Sequence, residues 1–488
     1  MTEKLKIGWV YLLSALFIAL NSYLLTKDLY YGLLMPLLLA IALMYIVALD
    51  KVLLLIVFLT PLAVNIQDMD FGVGISLPTE PLMLGVMVIF FIKLMYDLKY
   101  DARILRHPVT YAILFQLIWM LITSLTSEVP LVSLKYILSR LWFVIPFYFV
   151  IILLFKKYKY IKTFSWLYAI PLIIIIGYTT YRHATYGFDE DAGHWVMDPF
   201  YNDHTAYGAV LAMFLPVFFG FSFNKRYSGS IRMIAFGVFV ILAIAFFLSY
   251  SRAAWVSLAG AVGVYILIVL KIKFRWIAIF VVSIVTIFFT FQHQILDRLE
   301  KNKQDSSANF VEHVRSIYNI SSDASNLERI NRWQSAIRLF EERPLFGWGP
   351  GTYQFVYAPY QRSKEKTIIS TNAGDLGNAH SEYIGPLAEM GIPGMISVLL
   401  IMVFVIITGL RVYKNARSKE VKLLGLITLL GLITYFLHGL MNNFLDTDKA
   451  SVPFWGFIAI LVALDIYHTD KSDREIEKER GKSDSIPE

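Results

Sequence analysis

Long, uninterrupted apolar runs recur along most of this chain, separated by short polar connections. Each run is about 18 to 20 residues long, the length of a helix that crosses the hydrocarbon core of a bilayer. A membrane β-barrel would show alternating segments of about ten residues instead. The pattern therefore predicts an all-α, polytopic membrane protein of about 12–14 transmembrane helices. The predicted spans are 7–25, 30–49, 51–65, 81–97, 108–126, 137–155, 163–181, 204–223, 232–250, 253–270, 275–292, 384–408, 421–441 and 451–468.

The basic residues predict the topology, because cytoplasmic loops of membrane proteins are enriched in Lys and Arg. The N-terminus and every second connection hold most of these residues, whereas the opposite short connections hold only Lys27, Lys135, Arg182 and Lys449. Both termini are expected in the cytoplasm, with a long helical loop on the outer side. The expected regions are N-terminal transmembrane helices (1–203), central transmembrane helices with Arg252 (204–292), the outer, periplasmic loop (293–383), C-terminal transmembrane helices (384–468) and a cytoplasmic tail (469–488).

Composition adds two constraints. The chain is 57% hydrophobic and only 17% charged, where a soluble domain averages about 25% charged residues. It contains no cysteine, which excludes disulfides, thiolate catalysis and thiolate metal sites. The net charge of +7 reflects topology and does not indicate a nucleic-acid partner.

The outer loop contains an amphipathic helix in "SNLERINRWQSAIRLFEERP". Apolar residues recur there at helical spacing, and Pro344 is expected to end the helix. Arg329, Arg332 and Arg338 lie on this helix. One reading places them on its solvated face, which is where we expect Arg338. The apolar positions are Ile330, Trp333, Ile337 and Phe340.

The segment "NAHSEYIGPLAEMGIPG" (378–394) precedes an apolar span. Asn378 is expected to cap the returning helix, which would place His380 in its first turn. The positive end of the helix dipole favours a neutral imidazole there, the form that a general base requires. The alternative is an interfacial histidine bound to lipid headgroups or loop backbone. Glu389 is a further candidate for the acceptor side or the edge of the site.

Two arginines lie near the outer ends of predicted spans. Arg252 in "LSYSRAAW" and Arg140 in "YILSRLWF" either face a polar interior or reach lipid phosphates from the span ends. If they converge with Arg329 and Arg332, the site suits a diphosphate, because a guanidinium binds phosphate oxygens at two points and keeps its charge.

The segment "RHATYGFDEDAGHWVMDPFYNDH" contains residue types that can bind a metal ion. Its histidines and carboxylates match neither a helical His-x-x-x-His pair nor a calcium loop. A hydrated outer loop is favoured, with Asp203 or His204 at the site edge. We therefore expect no metal and no cofactor.

Three stretches, in order, resemble the signatures of the O-antigen ligase and polymerase family of bacterial inner-membrane glycosyltransferases. They are "LSYSRAAW", "ERINRWQSAIRLFEERPLFGWGPGTY" and "NAHSEYIGPLAEMGIPG". The family's His-x10-Gly element runs here from His380 to Gly391. Its loop arginine, followed four residues later by an apolar residue, is matched by Arg329 and Trp333. Tryptophan replaces the usual leucine, which leaves the choice between Arg329 and Arg332 open.

The resemblance, which covers residues 200 to 460, implies a GT-C-like, metal-independent enzyme of the bacterial inner membrane. Its donor would be a glycan on undecaprenyl diphosphate, and its acceptor a sugar hydroxyl of the lipid A core or of another glycan or protein. His380 would be the general base, and Arg252 and Arg329, with Arg332 and Arg140, would hold the diphosphate.

Other functions remain open from the sequence. A polysaccharide polymerase or a protein O-oligosaccharyltransferase would use the same donor, because only the acceptor differs. A transporter of lipid-linked glycans would place charges or helix breaks at mid-span within inverted repeats. Most charges in this chain lie at the ends of the spans instead.

Overall fold

The chain folds almost entirely into helices, which confirms the all-α class. The computed structural model describes residues 3–66, 74–97, 100–272, 324–363, 365–367, 370, 377–472 and 475–476. Contacts divide the chain into two compact units, one ending at Leu53 and the other beginning at Leu54. All residues discussed as site candidates belong to the second unit.

The helices follow one another with short connections. Two segments are 3₁₀ turns, Tyr30–Leu34 and Ala358–Tyr360, and two are π-helical turns, Ile145–Val150 and Leu464–His468. The strands β1 (Val64–Ile66) and β2 (Ile75–Leu77) form an antiparallel hairpin in which Val64 pairs with Leu77. The α-helices are α1 (Glu3–Leu25), α2 (Met35–Val47), α3 (Leu49–Leu59), α4 (Thr79–Asp97), α5 (Ala102–Leu105), α6 (Pro108–Leu125), α7 (Pro130–Val144), α8 (Ile151–Leu154), α9 (Lys159–Thr185), α10 (Glu190–Gly193), α11 (His204–Phe223), α12 (Gly229–Leu248), α13 (Arg252–Val269), α14 (Ala324–Glu342), α15 (Tyr353–Val356), α16 (Ile384–Asn415), α17 (Lys419–His438) and α18 (Asp448–Ala463).

Within the described residues, ten helices are long and apolar enough to cross a membrane. They match ten of the predicted spans. The first three predicted spans correspond to α1, α2 and α3, and the predicted span 275–292 lies outside the described residues. The ten are Thr79–Tyr96, Pro108–Leu125, Pro130–Leu154, Lys159–Thr185, His204–Phe223, Gly229–Leu248, Arg252–Val269, Ile384–Asn415, Lys419–His438 and Asp448–His468.

Three of these spans form the centre of the second unit. Helices α11, α17 and α18 are largely buried by protein, whereas α12 and α13 expose most of their apolar side chains, as lipid-facing helices do. Small residues let the central helices approach closely: a Cβ on Gly431 of α17 would meet the Met213 carbonyl of α11. The central helices thus pack backbone to backbone, as is common between membrane helices.

Helix α16 is interrupted near its start by Gly391. This residue has φ 66° and ψ −165°, a backbone conformation that is essentially restricted to glycine. Its amide neighbour Ile392 donates a hydrogen bond of 2.9 Å to the Pro344 carbonyl. A Cβ on Gly391 would clash with the backbone of Pro344 and Leu345. The break therefore separates a short helical segment, Ile384–Met390, from the span and docks the end of α14 at the junction.

The carbonyl end of the Ile384–Met390 segment is capped by tertiary contacts. Helix ends leave carbonyls without intrahelical partners. Here Trp348 N–H binds the Ala388 carbonyl at 3.2 Å and Gly349 N–H binds the Glu389 carbonyl at 2.8 Å. The Trp119 indole N–H of α6 binds the Met390 carbonyl at 2.8 Å. The "FGWGPG" turn and α6 thus replace the hydrogen bonds that a continuous helix would have made.

We predict that Gly391→Ala destabilises the protein by about 1–3 kcal/mol, the cost of forcing a side chain into such a backbone region, with a further loss from the clash with Leu345. Unfolding of purified protein in lipid nanodiscs measures the effect. Gly237→Ala in α12 is the control, because nothing lies within 4 Å of its added Cβ. Equal stability of the two variants would contradict the prediction.

Candidate functional site

Four segments converge on one polar region: the first turns of α11 and α13, one side of α14, and the residues just before α16. Asp203 caps α11 by accepting hydrogen bonds from Thr205 N–H at 2.7 Å and Thr205 Oγ1 at 2.8 Å. Ser251 caps α13 by accepting from Ala254 N–H at 3.3 Å. Gly208 permits the approach, since a Cβ there would crowd the Ser251 and Ala254 side chains. Two helix N-termini, each favourable for anions, therefore lie side by side.

His380 lies before α16 and not inside its first turn. The Asn378 side chain accepts from the His380 N–H at 3.0 Å, and His380 has φ +48°, which few non-glycine residues adopt. Ser381 Oγ caps the helix instead, accepting from Tyr383 N–H and Ile384 N–H at 3.3 Å each. The expected position of His380 in the helix was therefore wrong, because Asn378 turns the chain before the helix begins.

The electrostatic environment of His380 keeps its imidazole neutral. Desolvation, followed by the positive charges of Arg329 and Arg332, lowers the pKa of His380 to about 4, although Asp203 and Glu328 oppose the shift. Both effects disfavour the protonated ring. The neutral histidine expected from the helix dipole is thus obtained from burial and two arginines.

His204 links the other members of this group. Arg252, Arg329 and Asp203 all lie within electrostatic range of it. Its Nδ1 is 3.3 Å from Asp203 Oδ1, and its ring stacks on His194 with a centroid distance of 4.3 Å. Of the sequence-predicted residues, the structure therefore brings together His380, Arg329, Arg332, Arg252, Asp203 and His204. We call this group the His380 cluster.

Sequence reasoning did not assign His438 to the site. This side chain is 1% exposed, lies in the last turn of α17, and interacts electrostatically with Asp203, Arg329 and His204. Its Nε2 is 3.2 Å from the Asn442 amide nitrogen. The sequence feature that could have identified His438 is its position, a histidine at the end of an apolar span.

The structure distinguishes Arg332 from Arg329. Arg332 is 4% exposed, donates to Glu328 at 2.6 Å and stacks over the Tyr357 ring at 4.2 Å. Its carbonyl accepts from Tyr353 Oη at 2.7 Å. Arg329, by contrast, exerts the larger effect on His380. Arg332 therefore binds α14 to the loop that follows it.

Glu328 completes this attachment. Burial alone would raise the pKa of Glu328, but hydrogen bonds from Ser370, Arg332 and Thr367 outweigh it and lower the pKa below its ordinary value. The Thr367 hydroxyl donates to Glu328 Oε2 at 2.9 Å. Thr367 and Ser370 are thus held to α14 by a buried carboxylate.

Arg338 is not on a solvated face. It donates to the Tyr360 carbonyl at 2.6 Å and pairs with Glu365 at 2.6 Å. The expectation that it points into water was wrong, because the loop after α14 folds back over that side of the helix.

Arg140 and Glu389 lie at a different place, a cavity of about 760 Å³ that borders the segment 378–390. Arg140 donates to the Leu445 carbonyl and to Tyr136 Oη, both at 2.9 Å. Glu389 accepts from Tyr353 N–H at 3.0 Å. Neither residue is among the main charges acting on His380.

The histidines and carboxylates of the segment 182–204 have local structural roles. His183 Nε2 is 2.7 Å from the Asp189 carbonyl, and the Asp189 side chain caps α10 through Ala192 N–H at 3.2 Å. In the described ranges, no three His, Asp or Glu side chains are grouped so that they could hold a metal ion.

Comparisons with known proteins show what this chain is similar to. Residues 237–399 match a family model described as O-Antigen ligase, and the resemblance seen in the sequence is thereby confirmed. An uncharacterized protein of Haemophilus influenzae is 26% identical over 313 residues, which cover 61% of this chain and 72% of that protein. The family match supports a ligase- or polymerase-type glycosyltransferase in a multi-pass membrane protein.

We predict that Arg332→Ala lowers the free energy of unfolding by about 3–5 kcal/mol, the range for breaking one side of a buried ion pair. Arg329→Ala should lower it by less than Arg332→Ala does, because it leaves the Arg332–Glu328 pair intact. Thermal or denaturant unfolding of both variants in nanodiscs, with protease cleavage near residue 367 as a local probe, checks this. Equal losses would show that the two arginines share one structural role.

Proposed function

Starting from this O-antigen ligase-type domain, we propose that the protein transfers a glycan from undecaprenyl diphosphate to a sugar hydroxyl of the lipid A core. The observation that carries the proposal is the pairing of a neutral His380 with Arg329 beside the N-termini of α11 and α13. A neutral imidazole accepts a proton, and the surrounding positive charges suit a diphosphate. A polymerase or a transferase to protein would need the same groups.

In the proposed reaction, His380 takes the proton of the acceptor hydroxyl as its oxygen attacks the anomeric carbon. The bond from that carbon to the diphosphate oxygen breaks, and undecaprenyl diphosphate leaves with the electron pair. Arg329 and Arg252 stabilise the charge that grows on the leaving group. Because a diphosphate is already a good leaving group, arginines supply the stabilisation and no metal ion is required by the proposal.

In this proposal, donor binding also raises the basicity of His380. Arg329 and Arg332 lower the pKa of His380 in the free protein. A bound diphosphate would offset their charge, which raises the pKa of His380 towards the working pH. His380 would then be a stronger base when a donor is present. Arg332 acts through its bond to Glu328 and is a positioning residue in this scheme.

The proposed orientation follows the distribution of basic residues. Both termini would lie in the cytoplasm of a bacterium, and α14 with the His380 cluster at the outer face of the inner membrane. The carrier would enter from the lipid, and the acceptor from the periplasmic leaflet. The chain from Ile384 onward would then return into the membrane directly below the site.

We predict that His380→Ala lowers turnover by about 10²–10⁴, the usual contribution of a general base, and leaves donor affinity nearly unchanged. Arg329→Ala and Arg252→Ala should weaken donor binding as well as turnover, because each removes charge-assisted bonds to the diphosphate. Purified variants are assayed for donor binding and for transfer to lipid A core, with chelator present.

Arg362→Ala is the matched control, because Arg362 is an exposed arginine of the same loop. Normal transfer by His380→Ala would eliminate the proposed base. Equal losses at Arg362 and Arg329 would mean that only the general charge of the loop matters. Elongation of the carrier-linked glycan in place of transfer to core would identify a polymerase.

We also predict an acid limb of kcat/KM well below pH 6.5, because kcat/KM reports the free enzyme. The pKa of His380 is lowered to about 4, so the basic form persists above that pH and is lost as the pH falls through it. Arg329→Ala removes a repulsive charge and should move the limb upward. A wild-type limb at about 6.5, unmoved by Arg329→Ala, would contradict the assignment.

A further inference from the structure

The segment that carries His380 also forms one wall of the 760 Å³ cavity, but His380 is not among the lining residues. The other walls come from β2 and the start of α4, from α6 and α7, from residues 351–354 and from residues 443–455. The volume lies within the range of about 300–1,000 Å³ that is typical of small-molecule sites. The protein therefore has a second chamber beside the His380 cluster.

The charge of this chamber differs from that of the His380 cluster. Its lining contains the carboxylic side chains of Glu80, Glu382, Glu389 and Asp446, against two basic residues, Lys135 and Arg140. Arg140 already donates to a carbonyl and a tyrosine hydroxyl. A diphosphate only accepts hydrogen bonds, and a lining with more carboxylic than basic residues offers it few donors. The chamber suits a ligand that donates hydrogen bonds.

The carboxylates are held in place by the protein. Glu382 Oε1 accepts from Tyr435 Oη at 2.8 Å, Phe444 N–H at 2.9 Å and Leu445 N–H at 3.0 Å. Asp446, in the same loop, has a pKa raised to about 6 by desolvation and by the charge of Glu382, and it is open to the cavity.

The walls also hold buried polar atoms whose bonding is incomplete. Trp455, which is 1% exposed, and Trp142 have indole N–H groups with no hydrogen-bond partner within the described ranges, and Asn443 has such an amide oxygen. All three residues line the cavity. Buried donors and acceptors are normally satisfied, so these atoms point to a ligand that both donates and accepts.

We propose that this cavity binds a neutral sugar through its hydroxyl groups, as a glycan subsite separate from the diphosphate-binding cluster. A hydroxyl donates to a carboxylate and accepts from an indole N–H, while the half-buried rings of Tyr136 and Trp142 pack against the apolar face of a pyranose. The inference rests on the proposed function, which supplies two sources of the sugar: the core acceptor and the glycan of the donor.

The test uses Asp446→Asn, Glu389→Gln and Trp455→Phe in the full chain. The two amide substitutions keep the shape of the carboxylates, and Trp455→Phe removes the indole N–H together with part of the ring volume. Glu382 is left intact because it anchors the loop 443–446. Binding of deacylated core oligosaccharide, of free donor glycan and of glycan-free undecaprenyl diphosphate is measured separately by equilibrium binding, with KM for donor and acceptor. Glu341→Gln, an exposed carboxylate of α14, is the control.

We expect sugar affinity to fall about 10- to 100-fold in the carboxylate variants and about 3- to 10-fold in Trp455→Phe, the usual range for lost hydrogen bonds. Affinity for glycan-free carrier should not change. Loss confined to core oligosaccharide and acceptor KM assigns the subsite to the acceptor, and loss confined to donor glycan and donor KM assigns it to the donor.

Unchanged affinity for both sugars in folded variants, or an equal loss for the glycan-free carrier, would overturn the subsite. If the wild type binds sugar in this way but transfers none, the subsite stands and the proposed function fails. Thermal unfolding of each variant separates loss of binding from loss of fold.

Discussion

The docking of the α14 end onto the break in α16 is the constraint on which the site depends. Gly391 adopts a backbone conformation restricted to glycine, and this frees the carbonyls of Ala388, Glu389 and Met390 from the helix ladder. The turn after α14 and Trp119 take up those carbonyls. The turn after α14 is thereby fixed against α16, and α14 is held next to His380.

Two chambers of unlike charge result from this arrangement. The His380 cluster contains three arginines and two helix N-termini, whereas the cavity that borders the segment 378–390 has four carboxylic and two basic residues in its lining. Within the segment 378–390, Glu382 and Glu389 line the cavity, whereas His380 does not. Under the proposed function, a charged carrier group and a neutral sugar would be sorted by electrostatics before any chemistry takes place.

The class of fold and most spans were predictable, because apolar length alone marks a membrane helix. The gathering of Arg252, Arg329 and His380 was also predictable, because Arg252 and His380 lie at the ends of spans and Arg329 lies on the helix of the same outer loop. The details were not. Asn378 was expected to cap a helix, but its side chain accepts a hydrogen bond from the His380 amide in the turn before the helix. An asparagine side chain accepts from a backbone N–H in both cases, so the sequence does not distinguish them. Arg338 has the spacing of a solvated residue, and only the folded loop shows Glu365 beside it.

The spacing from His380 to Gly391 has a consequence for how the segment tolerates change. Its two ends are held independently, by Asn378 and Ser381 at one end and by Gly391 at the other, with about two helical turns between them. An inserted or deleted residue would rotate one end relative to the other by about 100°, and no side-chain substitution could restore the phase. Point mutations in this segment alter single contacts, whereas a change of length would misalign the base, the capping turn and the span together.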